Sequence, residues 1–292
     1  MLPYDMPLYR PPSEGNNLIV QATYGCSFNR CSFCSMYKGK EFTARPLEDV
    51  FRHIEFLVGH WPDADRVFLA DGDAMCLPVE TLEAICDKLA QELPNLTRIT
   101  AYASPRDLAR KSLQDLERLR ARKLTQVYVG VESGSPEVLS RAVKGVSPNA
   151  VVTGINKAMD AGMKVSATVI LGLGGQKYSA EHVQGTADVI NRAAPTYLST
   201  LQLALEADVY DGFMKSWKGD FAFLDDAAIL EEMRCLLTQL EPKRPVIFRS
   251  NHASNALPLA GTLPKDTARL IAQIENAQKG AAALRPEWMR GF

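Results

Sequence analysis

The sequence predicts an α/β fold built on a parallel sheet, and three observations carry that expectation. Short apolar runs alternate with helical patterns from about residue 18 to 204. The runs are rich in β-branched residues and modest in length, as buried parallel strands are. At 292 residues the chain also has the length of an α/β barrel, although an open doubly wound sheet fits the same alternation.

Taken in order, the candidate strands are "LIVQA" (18–22), "RVFLA" (66–70), "RITAY" (98–102), "TQVYVGV" (125–131), "KVSATVIL" (164–171) and "TYLSTLQLAL" (196–205). Helical patterns fill 46–59, 79–92, 107–121, 148–161 and 179–193. The first opens after "RPLEDV", with proline and acidic residues where a helix N-terminus favours them. In either architecture ligand chemistry gathers at the C-terminal ends of the strands. The chemically unusual segments follow that rule: "TYGCSFNRCSFC", "DGDAM", "SPR", "ESGS" and "GLGG" come after the first five strands in turn. Beyond 205 the alternation fades into a long loop, a helix near 226–240, a strand "PVIFR" (245–249), a polar stretch and a helix near 265–277. The expected organisation is a core over 1–205 and an α+β extension over 206–292 that closes the core on its substrate side.

Hydrophobic residues make up 46% of the chain and charged residues 23%, a composition that buries a large core. Lys and Arg number 33 against 34 Asp and Glu, so no global field attracts nucleic acid or an anionic membrane. The N-terminus lacks a basic region followed by an apolar stretch, and no run of 18 apolar residues exists. A cytoplasmic protein without nucleic-acid or membrane partners is the expectation, and thiols there stay reduced.

That bears on "GCSFNRCSFC", where Cys26, Cys31 and Cys34 stand in the spacing C-x4-C-x2-C. A structural zinc site wants four ligands, usually as two paired knuckles, and no nearby fourth ligand is present. Three thiolates on one loop fit a 4Fe–4S cluster with one iron left open, since each cubane iron takes one thiolate. Cys76, Cys86 and Cys235 read as buried small hydrophobes. Two other classes stay open: an electron-transfer protein with Cys76 as fourth thiolate, and a zinc-stabilised binding module.

The loop resembles that of the radical S-adenosylmethionine (radical SAM) superfamily, in which a C-x3-C-x2-C loop follows the first strand of a partial (β/α)6 TIM-like barrel. Here the first gap is one residue longer, filled by Asn29 and Arg30, while Phe33 matches the aromatic before the third cysteine. "DGDAM" stands where the family receives the amino group of the cofactor's methionine, with Asp71 and Asp73 as carboxylates and Gly72 allowing close approach. "VGVESGSPEVLSRAVKG" (129–145) is similar to the fourth strand and helix of the branch with methylthiotransferases and oxygen-independent coproporphyrinogen oxidase. There Glu132 and Ser133 match the ribose-contacting pair and Lys144 the partner of the methionine carboxylate. "VILGLGG" (169–175) resembles the segment that covers the adenine, with Ile170 and Gly172 at matching places.

The resemblance implies a 4Fe–4S cluster and S-adenosylmethionine as cofactors, with reductive cleavage to a deoxyadenosyl radical that abstracts hydrogen from a small-molecule substrate. It also implies an electron donor such as flavodoxin or ferredoxin. No second cluster motif and no corrin-binding domain accompany the core, which disfavours a methylthiotransferase and leaves a coproporphyrinogen-type oxidation as one named possibility. His53, His60 and His182 fall in helical patterns and are expected to pack. In the polar stretch "RSNHASN", Arg249, Asn251, His252 and Asn255 are the candidate substrate contacts, with His252 as the candidate catalytic residue.

Overall fold

The computed structural model describes residues 4–291. Its main sheet has eight strands: β1 (Leu18–Gln21), β4 (Arg66–Ala70), β5 (Arg98–Ala103), β6 (Leu124–Glu132), β7 (Lys164–Leu171), β8 (Tyr197–Gln202), β9 (Val246–Ser250) and β10 (Leu259–Leu263), adjacent in that order. Every registered pair from β1 to β9 is parallel, and only β10 runs antiparallel to its neighbour β9. Two short strands, β2 (Thr23–Tyr24) and β3 (Thr43–Ala44), pair apart from this sheet. This is a mixed α/β fold with a mostly parallel sheet, as in a partial TIM-like barrel. The seven strands expected from sequence all form, with ends shifted by up to three residues.

The helices are α1 (Leu47–His60), α2 (Val79–Glu92), α3 (Pro105–Arg110), α4 (Leu113–Ala121), α5 (Pro136–Arg141), α6 (Pro148–Asp160), α7 (Gly175–Ala193), α8 (Ala207–Ser216), α9 (Asp226–Gln239) and α10 (Thr267–Gln278). Several features differ from the sequence reading. The stretch 107–121 is two helices, because Ser112 and Asp115 form a reciprocal capping box that starts a new helix. The segments "SPR" and "SPE" are caps: Ser104 and Ser135 accept backbone amides of Asp107 and Val138, and a proline follows each at the first helical position. The long loop after 205 contains α8, which buries Val209 and Phe213, spaced one turn apart. β10, inside the polar stretch, also escaped the reading because only its two ends are buried.

Two compact units interleave along the chain. One comprises residues up to Asn29, 36–129 and 154–165; the other comprises 30–35, 130–153 and 166 onward. The expected boundary at 205/206 does not coincide with this division, since β9 pairs directly with β8. In the first unit Ile19, Phe68 and Ala70 pack with Tyr4, Leu8, Tyr102 and Tyr128. The Phe68 and Tyr102 rings meet edge to face at 5.0 Å. β1 ends the sheet, and the N-terminal residues cover its free backbone. Tyr4 donates to the Ile19 carbonyl at 2.8 Å, and Asp5 and Gln21 exchange two hydrogen bonds of 2.9 Å.

In the second unit Val138, Ala142, Ile170, Leu173, Phe213, Trp217 and Phe221 form a buried cluster. There α7 meets the turn after β6 backbone to backbone. A Cβ on Gly185 would stand 2.7 Å from the Gly134 carbonyl and the Ser135 nitrogen. Alanine is the better helix former by about 1 kcal/mol, but nothing in this contact can yield except backbone. Gly185→Ala is therefore expected to lower unfolding stability by roughly 1–3 kcal/mol, the usual cost of overpacking. Urea denaturation checks it, and an unchanged or raised midpoint would contradict the close approach.

Candidate active site

The cysteine loop is the excursion between β2 and β3, whose pairing of Thr23 with Ala44 and Tyr24 with Thr43 closes its base. It begins at Gly25 with φ +68°, a left-handed conformation that glycine adopts without strain. Asn29 is also left-handed, at φ 43°. Its amide donates to the carbonyls of Tyr37 at 2.7 Å and Lys40 at 3.3 Å, tying the outgoing half of the loop to the returning half. Asparagine is among the residues that tolerate this region. The longer first gap is thus accommodated by an ordered turn.

Asp71 and Asp73, expected to act together, have different roles. Asp71 is fully buried at the end of β4. Its Oδ2 pairs with Lys40 Nζ at 2.9 Å and accepts from the Gly25 amide at 3.2 Å and from Gln21 at 3.4 Å. Burial raises its pKa, and Lys40 opposes the rise. Through this one oxygen the carboxylate holds the loop to the sheet, while Oδ1 is buried without a hydrogen-bond partner in the protein. Between the two acids, Gly72 brings backbone against the loop. A Cβ there would meet the Tyr37 ring at 2.6 Å and Cys26 Cβ at 3.0 Å.

Asp73 accepts from Ser27 Oγ at 2.6 Å and from the Ser104 amide at 3.1 Å. Burial, then the neighbouring Asp107 carboxylate, pushes its pKa up to about 7. Asp107 in turn takes the Ser104 hydroxyl at 2.5 Å. Cys76 lies beside these acids; burial, Asp73 and Asp107 push its thiol up to about 12.

In the second unit Cys31 and Cys34 are half-buried. The Ser32 amide between them donates to the Ala142 carbonyl at 3.0 Å, and Phe33 packs against the cluster containing Ile170. Lys144 forms a 2.8 Å pair with Glu132. Burial opposes the ammonium form, but Glu132, with Cys31 and Cys34, carries the pKa of Lys144 above the ordinary lysine range. Glu132 has φ +62° and folds back over Gly130, where a Cβ would stand 2.0 Å from its Oε1. Ser133 is buried, and Gly172 turns the chain after β7 at φ +79°.

The proposed substrate residues do not gather. Arg249 is exposed and donates to the carbonyls of Phe248 and Gly261, because Val246, Phe248 and Ser250 occupy the buried face of β9. Asn251 is exposed. Asn255 is buried, and its Nδ2 donates to the Thr200 carbonyl at 2.7 Å and to Ser250 Oγ at 3.1 Å, while its Oδ1 has no hydrogen-bond partner in the protein. His252 is half-buried, with Nδ1 2.9 Å from Ser254 Oγ. Arg285 ties this turn together by donating to the carbonyls of His252, Ala253 and Asn255. Sequence reasoning missed Arg285 and Lys40, which no motif marks, and treated His182 as packing only.

Among the described residues no three of His, Cys, Asp and Glu stand together as a preformed metal site. None of the three loop cysteines is joined in a disulfide, however. This all-sulfur donor set, and the glycine cradle against Cys26, fit an iron–sulfur cluster. Also among the described residues, no helix is long and apolar enough to cross a membrane.

The family model of the Radical SAM superfamily matches residues 20–190. No curated protein matches the sequence. Coproporphyrinogen III oxidase (HemN) from Escherichia coli, a radical SAM enzyme, is 18% identical with a TM-score of 0.57, over 76% of this chain and 52% of that one. The radical S-adenosylmethionine methyltransferase TsrM from Kitasatospora setae, solved with cobalamin and a 4Fe–4S cluster, is 18% identical with a TM-score of 0.51, over 64% and 36%. Methylornithine synthase (PylB) is 16% identical with a TM-score of 0.52, over 88% and 68%. The chain thus spans about a third to a half of the first two proteins, and these likenesses establish a shared fold.

Two predictions follow from the buried charges. Removing one member of a buried ion pair leaves the other uncompensated, at a cost of about 3–5 kcal/mol. Lys40→Met should show that loss in urea, and combining it with Asp71→Asn should restore at least half; an unaffected single variant would refute the tie. For Asp73 the sign is set by its raised pKa: folding favours the protonated form, so stability is lost as pH rises from about 4 through about 7. In metal-free protein, Asp73→Asn should therefore raise the melting temperature more at pH 8 than at pH 5, and equal shifts at both would show the carboxyl to be unperturbed.

Proposed function

Because the chain belongs to the radical SAM superfamily, whose members cleave S-adenosylmethionine by radical chemistry, we propose that it is an enzyme that takes a hydrogen atom from a small molecule. The observation that carries this reading is the half-buried, charged Lys144, paired with Glu132 beside Cys31 and Cys34. An ammonium held there, at the position where the family pairs a lysine or arginine with a carboxylate, suits the methionine end of that cofactor.

Cys26, Cys31 and Cys34 would hold the 4Fe–4S cluster, which with the sulfonium of S-adenosylmethionine supplies the one-electron chemistry. The chain's own residues bind and orient. Lys144 takes the carboxylate, and Asp73, which Asp71's engagement with Lys40 leaves as the available acid, takes the amino group. Glu132 and Ser133 contact the ribose; Phe33, Ile170 and Gly172 border the adenine. The buried cluster around Ile170 excludes water from this side. His252 and its turn, at the C-terminal end of β9, are the proposed substrate side. A flavodoxin- or ferredoxin-type protein is the proposed electron donor.

The test is anaerobic incubation of reconstituted protein with dithionite and S-adenosylmethionine, with deoxyadenosine measured as product. Wild type should form it. Replacing any one of the three cysteines by Ala should abolish both product and the brown cluster absorption. A triple Ala variant that still assembled a normal cluster would end the proposal.

A further inference from the structure

Two buried side chains of the second unit have no part in that scheme: His182 on α7 and Glu232 on α9, 1% and 3% exposed. His182 Nδ1 lies 2.8 Å from Ser133 Oγ, and its Nε2 lies 3.8 Å from Glu232 Oε1. That same carboxylate oxygen accepts from the Gly172 amide at 2.6 Å, while the other accepts from the Ser179 hydroxyl. The imidazole thus bonds the turn after β6 and the carboxylate the turn after β7, and the two side chains face each other at 3.8 Å, too far for a hydrogen bond. The backbone supports the arrangement, because the Gly134 amide donates to Thr186 Oγ1, one turn beyond His182, at 3.0 Å.

The geometry also sets the direction of the hydrogen bonds. Full burial lowers the His182 pKa, with Glu232 opposing, so the ring is neutral at physiological pH. The ring also meets the Ile170 backbone; placing its proton on Nε2, the nitrogen nearer Glu232, leaves Nδ1 to accept the Ser133 hydroxyl proton. Ser133 Oγ already accepts from the Ser135 amide at 3.1 Å. One lone pair is left, so Ser133 can meet a ligand only as a hydrogen-bond acceptor. Burying an imidazole and a carboxylate is costly where an apolar pair would fill the same space.

We propose that His182 and Glu232 are a positioning couple for the nucleoside half of the cofactor. They fix Ser133 as an acceptor for a ribose hydroxyl and hold the Gly172 turn in place for the adenine. Through Glu232, α9 is part of the cofactor platform. This inference rests on the proposed function, since it takes Ser133 and Gly172 to face S-adenosylmethionine.

The test compares equilibrium binding of S-adenosylmethionine and of 5′-deoxyadenosine to the full-length, anaerobically reconstituted protein. His182→Ala should weaken both ligands by roughly tenfold, and His182→Asn, which keeps an acceptor near the Nδ1 position, should recover most of that. Glu232→Gln, nearly isosteric, should weaken both by roughly three- to tenfold. Lys144→Ala should weaken only S-adenosylmethionine, because the nucleoside carries no carboxylate. Leu236→Ala, a core truncation on the same helix, should lower the melting temperature without changing either affinity. Unchanged binding in the His182 and Glu232 variants, or an equal loss in Leu236→Ala, overturns the couple while leaving the proposed function intact. A wild-type protein that binds neither ligand overturns both.

Discussion

The ion pair between Lys40 and Asp71 is the constraint on which the first unit's chemistry depends. Cysteines separated by four and two residues define a donor set only if the loop bearing them returns to one place. Asp71 lies at the end of β4, where a parallel strand stops and its last polar groups need partners. Lys40 comes from the returning arm of the loop, and Gly25 from its outgoing arm. One carboxylate oxygen thus fixes both arms to the sheet. The pair is buried, so it is weakly screened and intolerant of losing one partner.

The second unit solves a similar problem with different residues. Its polar groups at the strand ends are Glu132, Ser133 and the Gly172 amide, and each has a named partner: half-buried Lys144 and fully buried His182 and Glu232. All three partners lie on other elements, so the turn after β6 cannot shift without breaking several hydrogen bonds together. Rigidity of this kind keeps a binding surface formed before its ligand arrives.

Much of this was legible in the sequence, and what was not has identifiable causes. The parallel strands declared themselves through continuous β-branched apolar runs, which have few alternative readings. The cysteine spacing and Lys144 were readable because they sit in short local motifs. The partners of those motifs were not. Lys40 is one lysine in "YKGKEF", Glu232 is one acid of a helix with several, and Arg285 lies in a tail without pattern. Each gains its role from contacts 30 or more residues away, which no local pattern encodes. Asp71 and Asp73 show the same limit: two positions apart just after β4, they have different partners, Lys40 for one and Ser27 and Ser104 for the other. The break between α3 and α4 differs in kind: the capping signal of Ser112 and Asp115 was present but outweighed by an unbroken helical period.

The same electrostatics bears on how many cysteines the chain offers to a metal. Cys76 is the one further thiol near the cysteine loop's attachment to β4, and a fully ligated electron-transfer cluster would need it. A ligand thiol must give up its proton. Burial, Asp73 and Asp107 all oppose the Cys76 thiolate, so the residue is a neutral thiol at physiological pH. A fourth thiolate would also place additional negative charge beside Asp73, whose ionisation burial and the Asp107 carboxylate already oppose. The proposed set of three thiolates, Cys26, Cys31 and Cys34, would avoid that repulsion. On that proposal Asp73 is left as the acid that meets the cofactor's amino group, a cation that a buried carboxylate suits.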